Sequence, residues 1–211
     1  MSFNSNKGFT LLEMMVALFL MAIIATLSWR GLNSMLHTRE ALTRRGVFFD
    51  QMQQLFLAWD QDCHHLGSPD QWPMGFPVHW DSSGFDLFRF RQSATGEKNW
   101  VAVSYRWGTG NIERWESDSI MNRATYLTML DSFQKNDDLT EIYNHQKPVH
   151  FELPVTAGAV RVYIDTLGWV DNQTASLPAP NVNYLFLGAE LSLHLKGANV
   201  DYTKSCLTGQ N

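Results

Sequence analysis

The first pattern along the chain is an apolar run. From Phe9 to Trp29 there is no Gly or Pro and one charged residue, Glu13. As a helix these 21 residues would rise about 30 Å, the thickness of a hydrocarbon layer, so the run predicts a membrane span. Ten of them are Phe, Leu, Ile or Val, each contributing roughly −0.3 to −0.6 kcal/mol to insertion, against a cost of about 3 kcal/mol for an acid at mid-membrane. Glu13 lies near the edge, where the cost is lower, yet a carboxylate there still calls for a reason.

Past Trp29 the helical period continues through Leu32, Leu36, Leu42, Phe49, Met52, Leu55, Phe56, Trp59 and Cys63, which predicts one helix running to about Leu66. Gly67-Ser68-Pro69 supplies the stop. Beyond it the period changes to alternation. Phe85 to Arg91 and Val101 to Trp107 read as strands, with Val101, Val103, Tyr105 and Trp107 on one face. Gly108-Thr109-Gly110-Asn111 is turn chemistry, so Asn111 to Glu116 is expected to return as a hairpin arm. Gly158 to Asp165 and Tyr184 to Gly197 add further strands; in the latter Ala189, Leu191, Leu193 and Leu195 alternate with Glu190, Ser192, His194 and Lys196. Ser117 to His150 is polar, with a short helix expected near Arg123 to Leu130 and then a loop, and Asp171 to Asn183 reads as an exposed connection.

Composition narrows the class. The 211 residues are 45% apolar with eight Trp and 13 Phe, enough for a packed core and against disorder. A net charge of −5 gives no electrostatic footprint for nucleic acid. Lys7 before the span is a weak positive-inside signal that places the amino terminus in the cytoplasm and the bulk of the chain outside. Cys63 and Cys206 are the two cysteines. In an oxidising compartment they either pair, fastening the end of the long helix to the carboxy-terminal tail, or remain separate thiols; the sequence leaves both open.

Glu13 acquires a reason if the chain is cut between Gly8 and Phe9. The new amine would start the helix with Glu13 one turn above it, and a neighbouring chain displaced along the membrane normal would bring its own amine to the carboxylate. The acid would then set subunit register.

Lys7-Gly8-Phe9-Thr10-Leu11-Leu12-Glu13 resembles the class III signal of type IV pilins and pseudopilins. The resemblance implies cleavage after Gly8, N-methylation of Phe9 by a prepilin peptidase, and an assembly role for Glu13. An ordinary signal peptide would have a shorter apolar core and an A-x-A-like exit, which does not follow Ile24-Ala25-Thr26-Leu27. Within that class the chain is most similar to the J-type minor pseudopilin of type II secretion systems. Trp29-Arg30-Gly31-Leu32, Met52 to Asp62, Val103-Ser104-Tyr105-Arg106, Gly110 to Trp115, Val160 to Trp169 and Gly188 to Lys196 carry the likeness. The stretch from Ser117 to His150 and the tail Tyr202 to Cys206 depart from it, which leaves a minor pilin of a type IV pilus or competence apparatus as the alternative.

The expected fold is α+β: a leader over 1–8, a membrane or filament-core helix over 9–29, its periplasmic half over 30–66, and a globular domain of antiparallel sheets over 67–211. The resemblance implies residence in the inner membrane, I-type and K-type minor pseudopilins as partners, a place in the pseudopilus tip and no cofactor. Other chemistry finds little support. Asp60 and His64 stand four apart on one helical face, but adjacent His64 and His65 point differently and no second pair follows, so the cluster Asp60 to His65 reads as a polar helix end in solvent. Asp131, Asp137 and Asp138 lack the ligand spacing and mid-loop Gly of a calcium loop. There is no G-x-S-x-G and no P-loop, and Gly108-Thr109-Gly110 lacks a third glycine. A membrane-anchored periplasmic enzyme is the competing reading from another class.

Overall fold

The structure is a computed structural model that describes residues 10–66, 78–92, 96, 98–108, 110–120, 122–135, 138–143, 146–171 and 185–208. Gly8 and Phe9, the Gly67-Ser68-Pro69 stop, Asp137 and residues 172–184 lie outside these. The chain divides into two units, one ending at Val47 and one starting at Phe48.

The first unit is the opening of helix α1, Leu11–His64. Every side chain described from Thr10 to Val47 is exposed, and the most apolar 18-residue window has a mean hydropathy of 2.3 with none of it buried within the chain. Such a surface needs lipid or other chains around it. The Thr26 hydroxyl donates to Ile23 O at 2.8 Å, so a polar group inside the span is satisfied by its own helix.

The second unit holds the rest of α1 and two antiparallel sheets. One has the order β1-β2-β3-β4-β5 and the other β7-β6-β8-β9. The first comprises β1 (Val78–Trp80), β2 (Gly84–Gln92), β3 (Lys98–Gly108), β4 (Asn111–Glu116) and β5 (Val149–Phe151). The second comprises β6 (Val155–Ile164), β7 (Gly168–Asp171), β8 (Phe186–Leu195) and β9 (Tyr202–Leu207). Met52, Leu55, Trp59 and Cys63, spaced three or four apart, bury one face of α1. They share a core with Phe85, Leu87, Val103 and Tyr105 of the first sheet and Val160, Val162, Leu191 and Leu193 of the second. Trp59 sits in its middle, 5.1 Å from the Phe85 ring and 5.3 Å from the Tyr105 ring.

The expected hairpin forms, with Trp107 opposite Ile112 and Gly108 opposite Asn111. Gly110 adopts φ 94°, a left-handed turn conformation that favours glycine. The alternation of β8 places Ala189, Leu191, Leu193 and Leu195 in the core.

In the stretch from Ser117 to His150 the short helix expected near Arg123 to Leu130 is present and extends to Lys135, and a second short helix stands where a loop was expected. The stretch forms α2 (Arg123–Lys135) and α3 (Leu139–Ile142) before β5. Asn122 caps α2, its Oδ1 accepting from Thr125 N at 2.8 Å, and Lys135 pairs with Asp131 at 2.5 Å one turn apart. Asp131 is therefore a helix-surface residue, and Asp138 starts α3 by accepting from Thr140 N at 2.9 Å. Tyr126, Met129 and Phe133 of α2 and Tyr143 pack on Phe88, Ala102 and Trp115 as a second core. Hence β2 is buried on both faces over most of its length, and the alternation read from Phe85 to Arg91 marks a sheet covered on two sides.

Candidate functional site

Two sets of residues carry the chemistry of this chain: the start of α1 and its far end.

At the start, Thr10 and Glu13 form a reciprocal cap. Thr10 Oγ1 accepts from Glu13 N at 3.3 Å, while Glu13 Oε2 lies 3.5 Å from both Thr10 N and Thr10 Oγ1. This is the Thr-x-x-Glu pattern that satisfies orphan amides of a first helical turn. Glu13 therefore has a local partner before any neighbouring chain arrives, a contact signalled in the sequence by the spacing of Thr10 and Glu13. The bond between Gly8 and Phe9 precedes this cap in sequence.

At the far end, α1 is locked to the first sheet by a buried ionic cluster. Asp62, 1% exposed, accepts from Arg114 Nε at 2.7 Å and Nη2 at 2.8 Å and from the Tyr105 hydroxyl at 2.5 Å. Arg89 Nε lies 2.8 Å from Asp62 Oδ1. Glu116 joins both cations, 3.0 Å from Arg89 and 2.7 Å from Arg114. Burial alone would raise the Glu116 carboxyl, but the Arg114 hydrogen bond and the nearby charges hold it below the usual range. Burial pushes the Tyr105 hydroxyl well up, and the Asp62 charge adds to the effect. For Arg114, burial works against the charge, yet the bonds to Asp62 raise its pKa further. The cluster sets the Asp62 and Glu116 carboxylates against the Arg89 and Arg114 guanidinium groups, with Arg91 meeting Glu116 from outside.

Asp62 thus corrects the reading of Asp60 to His65 as a solvated helix end. It follows Trp59 by three and shares the buried face. The clue was a carboxylate at a core position, with its cations on strands far away in sequence. Asp60, by contrast, pairs at the surface with Lys204 of β9 at 3.2 Å, and His65 is held to Gln61 O at 2.7 Å. Among the described residues no three His, Cys, Asp or Glu side chains gather to hold a metal ion.

The same end of the helix carries a covalent tie. Cys63 and Cys206 form a disulfide across 143 residues of sequence. Between the open alternatives the structure has the bonded one, joining α1 to the edge strand β9. Phe48 on the helix meets Tyr202 on the same strand, ring centres 6.2 Å apart.

A second buried polar cluster anchors the insert. Asp86, 1% exposed, accepts from Ser104 Oγ and from Arg106 Nη2 at 3.0 Å, with His79 Nδ1 at 3.1 Å. Ser104 in turn meets the Tyr143 hydroxyl at 2.6 Å, so Tyr143 is bonded to the sheet as well as packed on it. Ser104 is fully buried, which removes it as a nucleophile for any external substrate.

No curated protein matches the chain. Residues 3–29 match the prokaryotic N-terminal methylation motif, and with one apolar helix at the amino terminus this motif points to a membrane-anchored, type IV pilin-like protein, either a pilin or a pseudopilin.

Proposed function

We propose that the chain is a minor pseudopilin of a type II secretion system, most similar to the J-type, and acts as a structural subunit in the pseudopilus tip that starts assembly. The carrying observation is the methylation motif over residues 3–29, with Glu13 at its fifth position after the expected cut. Prepilin peptidase removes residues 1–8 and methylates Phe9; the helix stays in the inner membrane until the subunit is drawn into the fibre, with the second unit in the periplasm. The hairpin Val103 to Trp115 supports the J-type assignment. The insert Ser117 to His150 and the tail forming β9, which the J-type pattern lacks, favour a minor pilin of a type IV pilus as the second reading.

Affinity capture of the tagged full-length chain from detergent-solubilised native membranes tests the assignment. Recovery of I-type and K-type pseudopilins is expected; recovery of type IV pilus minor pilins would move the chain to the other machine. The role of Glu13 separates into cap and charge. Gln retains a capping side chain and Leu does not, so if charge sets register, Glu13→Gln and Glu13→Leu both insert normally and both lose incorporation. Incorporation equal to wild type in Glu13→Gln would reduce the residue to a cap.

A further inference from the structure

The insert does more than cover the first sheet. Between α2, α3 and the extended segment Ser117 to Ile120 it leaves a cleft of about 600 Å³, within the size range of ligand sites. Ile120, Met129, Ile142 and Tyr143 form its apolar part, and Ser119, Thr125, Thr128 and Ser132 add hydroxyls. Tyr143 is fixed through Ser104. Ser117 N and Ile120 N bond to β3 at 2.9 and 2.7 Å, so one bank is a segment pinned to the sheet by backbone hydrogen bonds.

The charges of the cleft are one-sided. Asp118 and Glu141 line it, and among the described residues no Lys, Arg or His does. Both carboxylates are exposed and neither side chain has an ion pair or hydrogen bond among the described residues. Arg91 reaches Ser119 Oγ at 3.3 Å but is tied to Glu116 at 3.1 Å. This contrasts with Asp62, Asp86, Glu116 and Glu190, each of which meets an arginine.

We infer that this cleft binds an extended, lysine- or arginine-bearing segment of a partner protein. Apolar surface accepts the methylene stem of such a side chain, a carboxylate takes its head, and the hydroxyls accept and donate to the partner's backbone. A single metal ion does not fit this geometry, since no three carboxylate, His or Cys side chains converge among the described residues.

The test uses the full-length chain in its native cell with a photo-crosslinking amino acid, p-benzoylphenylalanine, in place of Thr128, an exposed residue of the cleft. After irradiation the joined peptide is sequenced by mass spectrometry. The expected result is a cross-link to a segment containing Lys or Arg, with a yield about tenfold lower in the Asp118→Asn/Glu141→Gln double variant, as two partly exposed ion pairs imply, and with an unchanged melting temperature. Absence of any cross-link, a joined segment without basic residues, or a yield that the double variant leaves unchanged would overturn the inference. Quenching of the label's reaction by spermidine with no chain attached would do so too, giving the cleft to a free polyamine. The outcome does not depend on which machine the chain joins, because neither the label nor the variants touch Phe9 or Glu13.

Discussion

Replacing Asp62 with Asn conserves the volume of the side chain and removes one charge from a site 1% exposed. Arg89 and Arg114 then face each other across a neutral amide. Breaking a buried pair by deleting one partner costs about 3–5 kcal/mol, because the remaining ion is left desolvated. Glu116 still touches both guanidinium groups, which places the expected loss near the lower end, about 3 kcal/mol. Against a total stability of about 5–15 kcal/mol for a domain, that is a large fraction. The assay is urea unfolding of the full chain in detergent, followed by the fluorescence of Trp59, which packs on the Tyr105 ring beside the cluster. The midpoint is expected to fall with the slope unchanged. A triple variant, Asp62→Leu/Arg89→Met/Arg114→Leu, removes the charges together and is expected to recover most of the loss. A cost below about 1 kcal/mol for Asp62→Asn, or a triple variant less stable than the single one, would refute the reasoning that paired charge holds the helix on the sheet.

Three further outcomes follow from other contacts. Cys63→Ser/Cys206→Ser should lower unfolding stability by roughly 2–5 kcal/mol, since the bond spans 143 residues and long closed loops lose most on opening; melting with and without reductant measures it, and reductant should shift wild type alone. Gly158→Val should destabilise by about 1–3 kcal/mol, because a Cβ there would lie 2.6 Å from Trp107 Cγ, and a second change, Trp107→Leu, should return part of it in thermal unfolding. Glu116 and Glu190 have lowered folded pKa values, so the stability they confer is complete above the unfolded carboxyl pKa of about 4.3 and is lost as pH falls through the folded values; unfolding free energies measured from pH 7 to pH 3 should decline below about pH 4.5, and a flat profile would contradict the cluster.

The start and the sheets were the legible parts of this chain. The run from Phe9 to Trp29 has one period and one exception, and the hairpin around Gly108 to Asn111 follows from turn chemistry that acts between neighbours. Long-range pairing was less accessible. Asp62 in a polar cluster looks like a solvated helix end until Arg89 and Arg114, carried on β2 and β4, are brought over it. The insert was legible as a short helix near Arg123, but its length, the second helix after it and its packing on the first sheet were not, for a related reason. Its charged residues lie on the outer surface of α2, while Tyr126, Met129 and Phe133 keep the helical spacing of a buried face, a signal present but weaker than the surrounding polarity. Thr10 and Glu13 differ, for their spacing is itself that of a helix cap and the signal lies wholly within one turn of sequence.

As a pilin-like precursor, the chain is proposed to be cut after Gly8 so that its mature helix starts at Phe9. Mass spectrometry of the amino-terminal peptide, taken from the full-length protein purified from native membranes, tests it most directly. The expected first residue is Phe9 carrying one methyl group on its amine. An amino terminus at Met1, or a start within the apolar run after Phe9, would contradict it.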